Sequence, residues 1–305
     1  MALDISHPDF WTRALQFTPN IHRDLYPAIS HEAASIQQIA QGKVVIVTGA
    51  GSGFGKGACW QWAKSGVAAI ALAGRRQQQL DQVITELQAV APHTKYLAVP
   101  CDVSSLEDTE YLFDQAMASF GRIDVVVHAA GVLGPVNNVG DTPVDDWWRA
   151  FEINAKGAYL VSRELVRRTS GQSSTFINTG TAASYFASPG QSAYTMSKLA
   201  VNMLLDQLHA EYPELRVFNV HPGMAKSSVL RPELEIYAKD TPELFGGLTV
   251  FLAGNEADFL RGRFIAANWD VRDLVKYQEQ VVAGGLLKSQ PFKGNIGDGG
   301  HFSSD

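Results

Sequence analysis

One stretch of the chain decides the fold, VVIVTGAGSGFG at residues 44–55. The apolar run 44–47 leads into a glycine-rich turn, and residues 55–64 follow with a pattern typical of a helix. An unbroken apolar run predicts a strand that is buried on both faces, as in a parallel sheet. The stretch therefore predicts a buried strand followed by a glycine turn and a helix.

Strand-like and helix-like segments alternate from here to residue 266. The strands are expected at 68–73, 96–99, 123–127, 175–178, 216–220 and 263–266, and the helices at 77–90, 105–120, 145–168, 193–211 and 244–252. This alternation predicts an α/β fold, a Rossmann-like, doubly wound parallel sheet of about seven strands covered on both faces. Ligands of such sheets bind at the carboxyl ends of the strands.

The alternation also sets the expected domain organisation. Residues 1–42 show no sustained period and are expected to be an N-terminal extension, which either caps the active site or extends a subunit contact. Residues 43–270 form a single Rossmann-like domain, and residues 271–305 are expected to hold a C-terminal helix and a flexible tail.

Composition narrows the possible functions. The formal net charge of −6 over 305 residues gives no general attraction to nucleic acid or anionic lipid. Cys59 and Cys101 lack zinc or redox spacing and are interpreted as buried thiols, and no metal site is expected. The chain shows neither a signal sequence nor a membrane span, so we expect a cytoplasmic protein without nucleic-acid or membrane partners.

The glycine turn at residues 48–55 predicts a nucleotide site. It fits neither G-x-G-x-x-G nor a Walker A loop, because glycine is missing from the required positions, and it reads T-G-x-x-x-G-x-G. Glycines between a strand and a helix let backbone N–H groups approach a pyrophosphate at the helix N-terminus. A turn that serves packing alone is the alternative.

The end of the second strand indicates which dinucleotide binds. An NAD site would carry a carboxylate there for the ribose 2′-hydroxyl, but the sequence has Arg75 and Arg76. Two guanidinium groups suit a 2′-phosphate and favour NADP(H) over NAD(H). The alternative is a pair of solvated arginines that open a helix.

Tyr194 and Lys198 lie four residues apart, which places them on one face of a helix. The Lys198 ammonium and an oxidised nicotinamide both favour tyrosinate, so we expect a lowered pKa for Tyr194. Such a phenol can exchange a proton near neutral pH.

Together these residues resemble the classical short-chain dehydrogenase/reductase (SDR) family over residues 43–268. Besides the glycine turn, segment 101–103 resembles the family's adenine-contacting turn, His128-Ala129-Ala130-Gly131 its N-N-A-G motif, and Pro222-Gly223 the turn beside the nicotinamide. The resemblance implies the strand order 3-2-1-4-5-6-7. The residues expected to bind cofactor are Thr48, Gly49, Gly51, Ser52, Gly53, Phe54, Gly55, Arg75, Arg76, Asp102, Val103, Ala130, Gly131, Asn154, Tyr194, Lys198, Pro222, Gly223 and Ser227.

The resemblance implies a catalytic tetrad of Asn154, Thr181, Tyr194 and Lys198. Threonine stands at position 181 where the family usually has serine, and Ser184 and Ser188 are the alternatives. Lys198 would bind the nicotinamide ribose, and Asn154 would hold a water that links Lys198 to solvent. Asp102 has an alternative role as a residue that leads into a helix. His128 and Ala129 depart from the motif, which changes the expected hydrogen bonding of the central sheet.

The expected function is NADP(H)-dependent interconversion of a carbonyl and an alcohol, with Tyr194 as proton donor or acceptor. Two other functions remain open: a rearrangement such as epimerisation or cyclisation, or dinucleotide sensing without turnover. A fairly apolar small-molecule substrate is expected between segments 132–139, 182–191 and 224–245, lined by Tyr185, Phe186, Met224, Leu230, Tyr237 and Phe245. The resemblance further implies a homodimer or homotetramer formed through helices 145–168 and 193–211.

Overall fold

The computed structural model describes residues 5–169, 171–226 and 230–289. Its strands are β1 (Val44–Thr48), β2 (Ala69–Gly74), β3 (Lys95–Pro100), β4 (Val125–His128), β5 (Thr175–Thr179), β6 (Arg216–His221) and β7 (Arg263–Ala266). All neighbouring strands pair in parallel, in the order β3-β2-β1-β4-β5-β6-β7. The predicted sheet and its strand order are therefore confirmed.

The helices follow the strands as the alternation predicts. They are α1 (Phe10–Ala14), α2 (Ala34–Ala40), α3 (Gly53–Lys64), α4 (Gln77–Val90), α5 (Leu106–Phe120), α6 (Val144–Phe151), α7 (Gly157–Thr169), α8 (Ser192–Glu211), α9 (Pro242–Leu252), α10 (Val271–Lys276) and α11 (Gln278–Ala283). None of the helices that the structure describes is long and apolar enough to cross a membrane.

Two apolar cores lie on opposite faces of the sheet. Val45 and Val47 of β1 belong to the core that contains Trp62 of α3, whereas Ile46 belongs to the core that contains Phe113 of α5 and Leu165 of α7. Side chains alternate between the faces of a strand, so an unbroken apolar run serves both cores. Cys59 and Cys101 are buried thiols, as expected.

The helix expected at 145–168 is interrupted. A π-helical segment, Glu152–Lys156, separates α6 from α7 and carries Asn154. The Asn154 side chain bonds to the backbone of Val132, its Nδ2 donating to the carbonyl oxygen and its Oδ1 accepting from the N–H, both at 2.9 Å. Single π turns inside helices are frequent at functional sites, and periodicity alone does not reveal them.

The N-terminal segment packs into the main core. Ile29 and Ile36 are buried there, and a Cβ at Gly247 of α9 would lie 2.6 Å from the Ile29 carbonyl oxygen. The segment contains α1 and α2, although its sequence shows no sustained period. At the other end, two short helices, α10 and α11, replace the expected single helix, and the expected flexible tail at 297–305 lies outside the described residues.

Candidate active site

The glycine turn joins the carboxyl end of β1 to the amino end of α3. Gly49 and Gly53 have φ angles of 67° and 52°, in the left-handed region that side chains disfavour. A Cβ at Gly49 would lie 2.8 Å from the Ala130 nitrogen, and one at Gly55 would lie 2.3 Å from the Gly49 carbonyl oxygen. Exposed Ser52 precedes the helix. Backbone N–H groups at a helix N-terminus suit an anion, and the glycines allow close approach to them.

Thr48 connects this turn to the end of β4. Its Oγ1 accepts from the Ala130 N–H at 3.2 Å and lies 2.9 Å from His128 Nδ1. Burial, together with nearby Lys198, lowers the pKa of His128 to about 3. A neutral imidazole therefore links β1 and β4, which is the changed hydrogen bonding expected from the departure at position 128.

Arg75 and Arg76 follow the carboxyl end of β2, the strand beside β1. Both side chains are exposed, and neither guanidinium group is ion-paired with a residue that the structure describes. Arg76 immediately precedes α4. The first turn of α4 is close to the glycine turn, because a Cβ at Gly51 would lie 3.2 Å from the Gln79 Oε1.

Asp102 follows β3, and its carboxylate already has protein partners. Oδ1 accepts from the backbone N–H and the hydroxyl of Ser104 at 2.9 and 2.6 Å, and Oδ2 accepts from Arg149 at 2.8 Å. Burial acts to raise the pKa of Asp102, but these hydrogen bonds outweigh it and the pKa is lowered. These contacts fit the alternative role, in which Asp102 leads into α5, and its contact with the cofactor stays a prediction. Val103 beside it is buried against Gly157.

Asn154 and Tyr194 are joined through Ser197. Asn154 Nδ2 donates to Ser197 Oγ at 3.0 Å, and Ser197 Oγ donates to the Tyr194 carbonyl oxygen at 2.8 Å. A Cβ at Gly131 would lie 3.1 Å from Asn154 Oδ1 and 3.4 Å from Lys198 Nζ. The segment after β4, the π turn and α8 thus meet at one place.

Lys198 points into the protein. Its side chain is buried, and Nζ donates to the carbonyl oxygen of Thr179, the last residue of β5, at 2.9 Å. Burial lowers the pKa of Lys198 to about 8. The amine therefore loses its proton more readily than an exposed lysine does.

The expected lowering of the Tyr194 pKa is not found. Burial of the phenol raises its pKa, and a hydrogen bond with the Thr181 side chain lowers it only in part. The cause is desolvation, which disfavours the charged tyrosinate and here outweighs the protein's own stabilising groups. The phenol nevertheless lies near the Thr181 side chain, its expected partner.

Ser184 has a different set of contacts. Its hydroxyl donates to the Thr181 carbonyl oxygen at 2.7 Å and accepts from Asn202 Nδ2 at 2.9 Å. Asn202 continues through Asn219 to Asn178, a buried amide chain behind the loop. Ser184 thereby stabilises the segment after β5 from its buried side, whereas Thr181 lies near Tyr194.

The turn after β6 contains Pro222 and Gly223, both buried. Gly223 has a φ angle of 89°, and a Cβ there would lie 2.5 Å from Asp240 Oδ2. The backbone conformation and the close approach of Asp240 therefore both require glycine at position 223. Ser227, expected to contact the cofactor, lies outside the described residues.

Two of the expected substrate-lining residues belong elsewhere. Phe245 is fully buried in the core and packs edge-on against Phe54 of the glycine turn. Tyr237 is buried, and its hydroxyl donates to the Ile5 carbonyl oxygen at 2.5 Å. Tyr185 packs edge-on against Phe264 of β7. Val136 in segment 132–139 and Phe186 in segment 182–191 are large apolar side chains that are exposed.

Several residues of the site were not foreseen from the sequence. Ser197 stands three positions after Tyr194, and helical spacing could have indicated it. Arg149, which holds Asp102, and Asp240, which holds Gly223, carry no local signal, because their partners are remote in sequence. Only the folded chain brings them together.

Comparison with known proteins supports one family. A family model described as short chain dehydrogenase matches residues 43–236. Short chain dehydrogenase pigC of Monascus ruber is 31% identical, over 89% of this chain and 92% of its own length. Short chain dehydrogenase andI of Emericella variicolor is 30% identical, over 89% of this chain and 95% of its own length.

Solved structures agree with the sequence matches. A short-chain type dehydrogenase/reductase from Mycobacterium marinum is 27% identical and superposes with a TM-score of 0.69, over 76% of this chain and 97% of its own. A dehydrogenase/reductase from Sinorhizobium meliloti, 22% identical with a TM-score of 0.70 over 76% of this chain and 96% of its own, shares the fold. The chain belongs to the short-chain dehydrogenase/reductase family, oxidoreductases that use a nicotinamide dinucleotide cofactor.

Proposed function

We propose that this protein is an NADP(H)-dependent oxidoreductase that interconverts a carbonyl and an alcohol of a small molecule, with Tyr194 as the proton donor or acceptor. The placement of the Tyr194 phenol near the Thr181 side chain carries the proposal. Beside it, Lys198 is buried on the same helix face. A phenol and a hydroxyl that lie near each other can act on one substrate oxygen.

The residues fit a dinucleotide. The glycine turn leaves the amino end of α3 open to a pyrophosphate. Glycine is required there, because a side chain at Gly49 or Gly55 would collide with backbone. Arg75 and Arg76 are exposed and form no ion pair with a residue that the structure describes, so they suit a 2′-phosphate at the end of β2. Asp102 and Val103, Ala130 and Gly131, and Pro222 and Gly223 complete the proposed wall of the binding cleft.

The protein's groups would act as follows. A dinucleotide held by these residues would supply or accept the hydride at the substrate carbon. During reduction Thr181 donates a hydrogen bond to the carbonyl oxygen and Tyr194 transfers its proton to that oxygen, while oxidation reverses these steps. After reduction Lys198 would return a proton to Tyr194, and after oxidation it would take one up from Tyr194. Asn154, bonded to Val132 and Ser197, fixes α8 against the loop after β4, and a relay water would bind beside these contacts.

The substrate is proposed to be fairly apolar. Phe186 and Val136 are exposed on the two loops beside the tetrad, and a Cβ at Gly190 would lie 3.6 Å from Val136 Cγ1. An apolar surface with few fixed charges favours apolar ligands. A survey of ketones by NADPH-oxidation kinetics tests this, and a preference for small anionic substrates would contradict it. A cytoplasmic location belongs to the same proposal and is checked by cell fractionation.

The decisive experiment is Tyr194→Phe. We expect NADPH consumption with a suitable ketone to fall by at least about 100-fold, because general acid catalysis is lost. Binding of NADPH, followed by its fluorescence, should remain. Tyr111→Phe, which removes an exposed hydroxyl on α5, is the matched control and should leave turnover unchanged. Undiminished turnover in Tyr194→Phe would rule out the assigned role.

The preference for NADP(H) has its own test. Replacing both arginines, Arg75→Ser with Arg76→Ser, should weaken NADPH binding by roughly 10- to 100-fold, the value of hydrogen bonds to a charged group, and leave NADH binding nearly unchanged. Lys95→Ser is the control, because it removes an exposed positive charge at the amino end of β3, whereas the two arginines follow the carboxyl end of β2. Equal weakening of both cofactors would contradict the assignment.

A further inference from the structure

A buried ion pair links the N-terminal segment to the turn after β6. Arg23 Nε donates to Asp240 Oδ1 at 2.7 Å, across 217 residues of sequence. The Asp240 side chain is only 1% exposed. A carboxylate this deeply buried is costly unless it is paired and hydrogen-bonded.

Asp240 holds the turn that contains Pro222 and Gly223. Its Oδ2 accepts from the Met224 N–H, and its own N–H donates to the Met224 carbonyl oxygen at 3.0 Å. Oδ2 also occupies the space that a side chain at Gly223 would need. Asn268 Nδ2 donates to Oδ1 at 3.0 Å. The carboxylate therefore fixes both the path and the direction of this turn.

Arg23 joins further parts of the chain to the same carboxylate. Its Nη2 donates to the Tyr237 carbonyl oxygen at 2.7 Å, and its Nη1 pairs with Asp9. Its backbone carbonyl oxygen accepts from the Thr241 N–H at 3.0 Å. A planar guanidinium with several fixed donors can serve these acceptors at once, which a lysine ammonium cannot do with the same geometry.

Burial raises the pKa of Asp240, whereas the bond to Arg23 acts to lower it. Removing Arg23 would leave a buried carboxyl group without its cationic partner. Such a group either takes up a proton or moves toward water, and in both cases its bond to Met224 weakens.

We infer that Arg23 is a positioning residue for the cofactor site: through Asp240 it holds the Pro222–Met224 turn, so the N-terminal segment forms part of the framework around the nicotinamide. The location of that turn beside the nicotinamide rests on the proposed function. Arg23 thereby links the N-terminal segment to a turn of the main domain.

The test compares the full-length wild type with Arg23→Gln, Arg23→Lys and Arg13→Gln. Arg13 is exposed on α1 and serves as the matched control within the same segment. Two measurements are made: hydrogen exchange at the Met224 amide without nucleotide, and binding of NADPH against 2′-phospho-ADP-ribose, which lacks the nicotinamide.

In Arg23→Gln we expect faster exchange at Met224 and about tenfold weaker binding of NADPH, the effect of one or two weakened hydrogen bonds, with unchanged binding of 2′-phospho-ADP-ribose. Arg23→Lys should lie between Arg23→Gln and the wild type, and Arg13→Gln should match the wild type. If Arg23→Gln does not fold, Arg23→Lys carries the same comparison.

Unchanged exchange at Met224 would overturn the inference, and so would equal weakening of both ligands. The exchange measurement uses no nucleotide, so it decides whether Arg23 holds the turn independently of the cofactor. A wild type that bound neither ligand would contradict the proposed function, and the exchange result would still stand for or against the contact itself.

Discussion

Single residues at this site act mainly through burial. His128, Lys198 and Tyr194 are each shifted away from their charged forms by desolvation. A sequence shows only which residues stand near a titratable side chain along the chain, whereas the pKa of that side chain depends on how much water the fold removes from it. Tyr194 shows the difference most clearly, because burial reverses the direction expected from its lysine neighbour.

His128 should make the protein sensitive to acid. Its folded pKa of about 3 lies below the ordinary value of 6.5, so the unfolded chain takes up the proton first as the pH falls. The contribution of neutral His128 to the free energy of unfolding is therefore fully present above about pH 6.5. It falls by about 1.4 kcal/mol per pH unit as the pH drops toward 3.

Urea unfolding of His128→Asn and of the wild type at pH 7 and pH 4.5 measures this contribution. The wild type should lose about 3 kcal/mol more than the variant between the two pH values. His93→Asn is the matched control, since that imidazole is exposed in the folded chain. A pH-independent difference between His128→Asn and wild type would show that the buried imidazole does not titrate as described.

Among the elements, the glycine turn has little room for side chains. It lies between β1 and α3 and touches the end of β4, so backbone surrounds it on two sides. The π turn before α7 is also held in place, because Asn154 within it bonds to Val132 on the loop after β4.

Gly55→Ala should disrupt this turn. The added methyl group would meet the Gly49 carbonyl oxygen, so the backbone must move, at a cost of about 1–3 kcal/mol, and the pyrophosphate site is distorted. We expect weaker NADPH binding and a lower Tm.

Gly66→Ala is the control for Gly55→Ala. Gly66 has a φ angle of 82° but nothing within 4 Å of an added Cβ. Its substitution should lower stability through backbone strain and leave NADPH binding intact. NADPH binding is measured by fluorescence titration. If Gly55→Ala binds NADPH as tightly as the wild type does, the glycine turn tolerates a side chain.

At the scale of the whole molecule, α8 presents an apolar outer surface. Met196, Leu199 and Met203 are each about half exposed and recur at helical spacing. Tyr159 on α7 is exposed as well. Isolated apolar side chains are common on surfaces, but a contiguous stripe of this kind is typical of an interface. This supports the homodimer or homotetramer expected through these helices.

Met203→Lys tests this assembly. A lysine within an apolar interface would be desolvated without a partner, so we expect a shift toward monomer in size-exclusion chromatography with light scattering. Val90→Lys, at the exposed end of α4, is the matched control and should leave the mass unchanged. A wild type that is monomeric at all concentrations would rule out the proposed oligomer.

The sequence by itself determined the sheet, the alternation of strands and helices, and the positions of the glycine turn, Tyr194 and Lys198. These features follow from local rules: an unbroken apolar run such as 44–47 is typical of a strand buried on both faces, and residues four apart lie on one face of a helix. Strand boundaries fell within two residues of those expected.

Tertiary structure alone decided the π turn at Asn154, the core position of Phe245, the partners of Asp102, and the bond between Arg23 and Asp240. Each depends on groups brought together from distant parts of the chain, and spacing in sequence carries no trace of such contacts. The direction of the Tyr194 pKa belongs here too, because desolvation is a property of the packed molecule and not of any short segment.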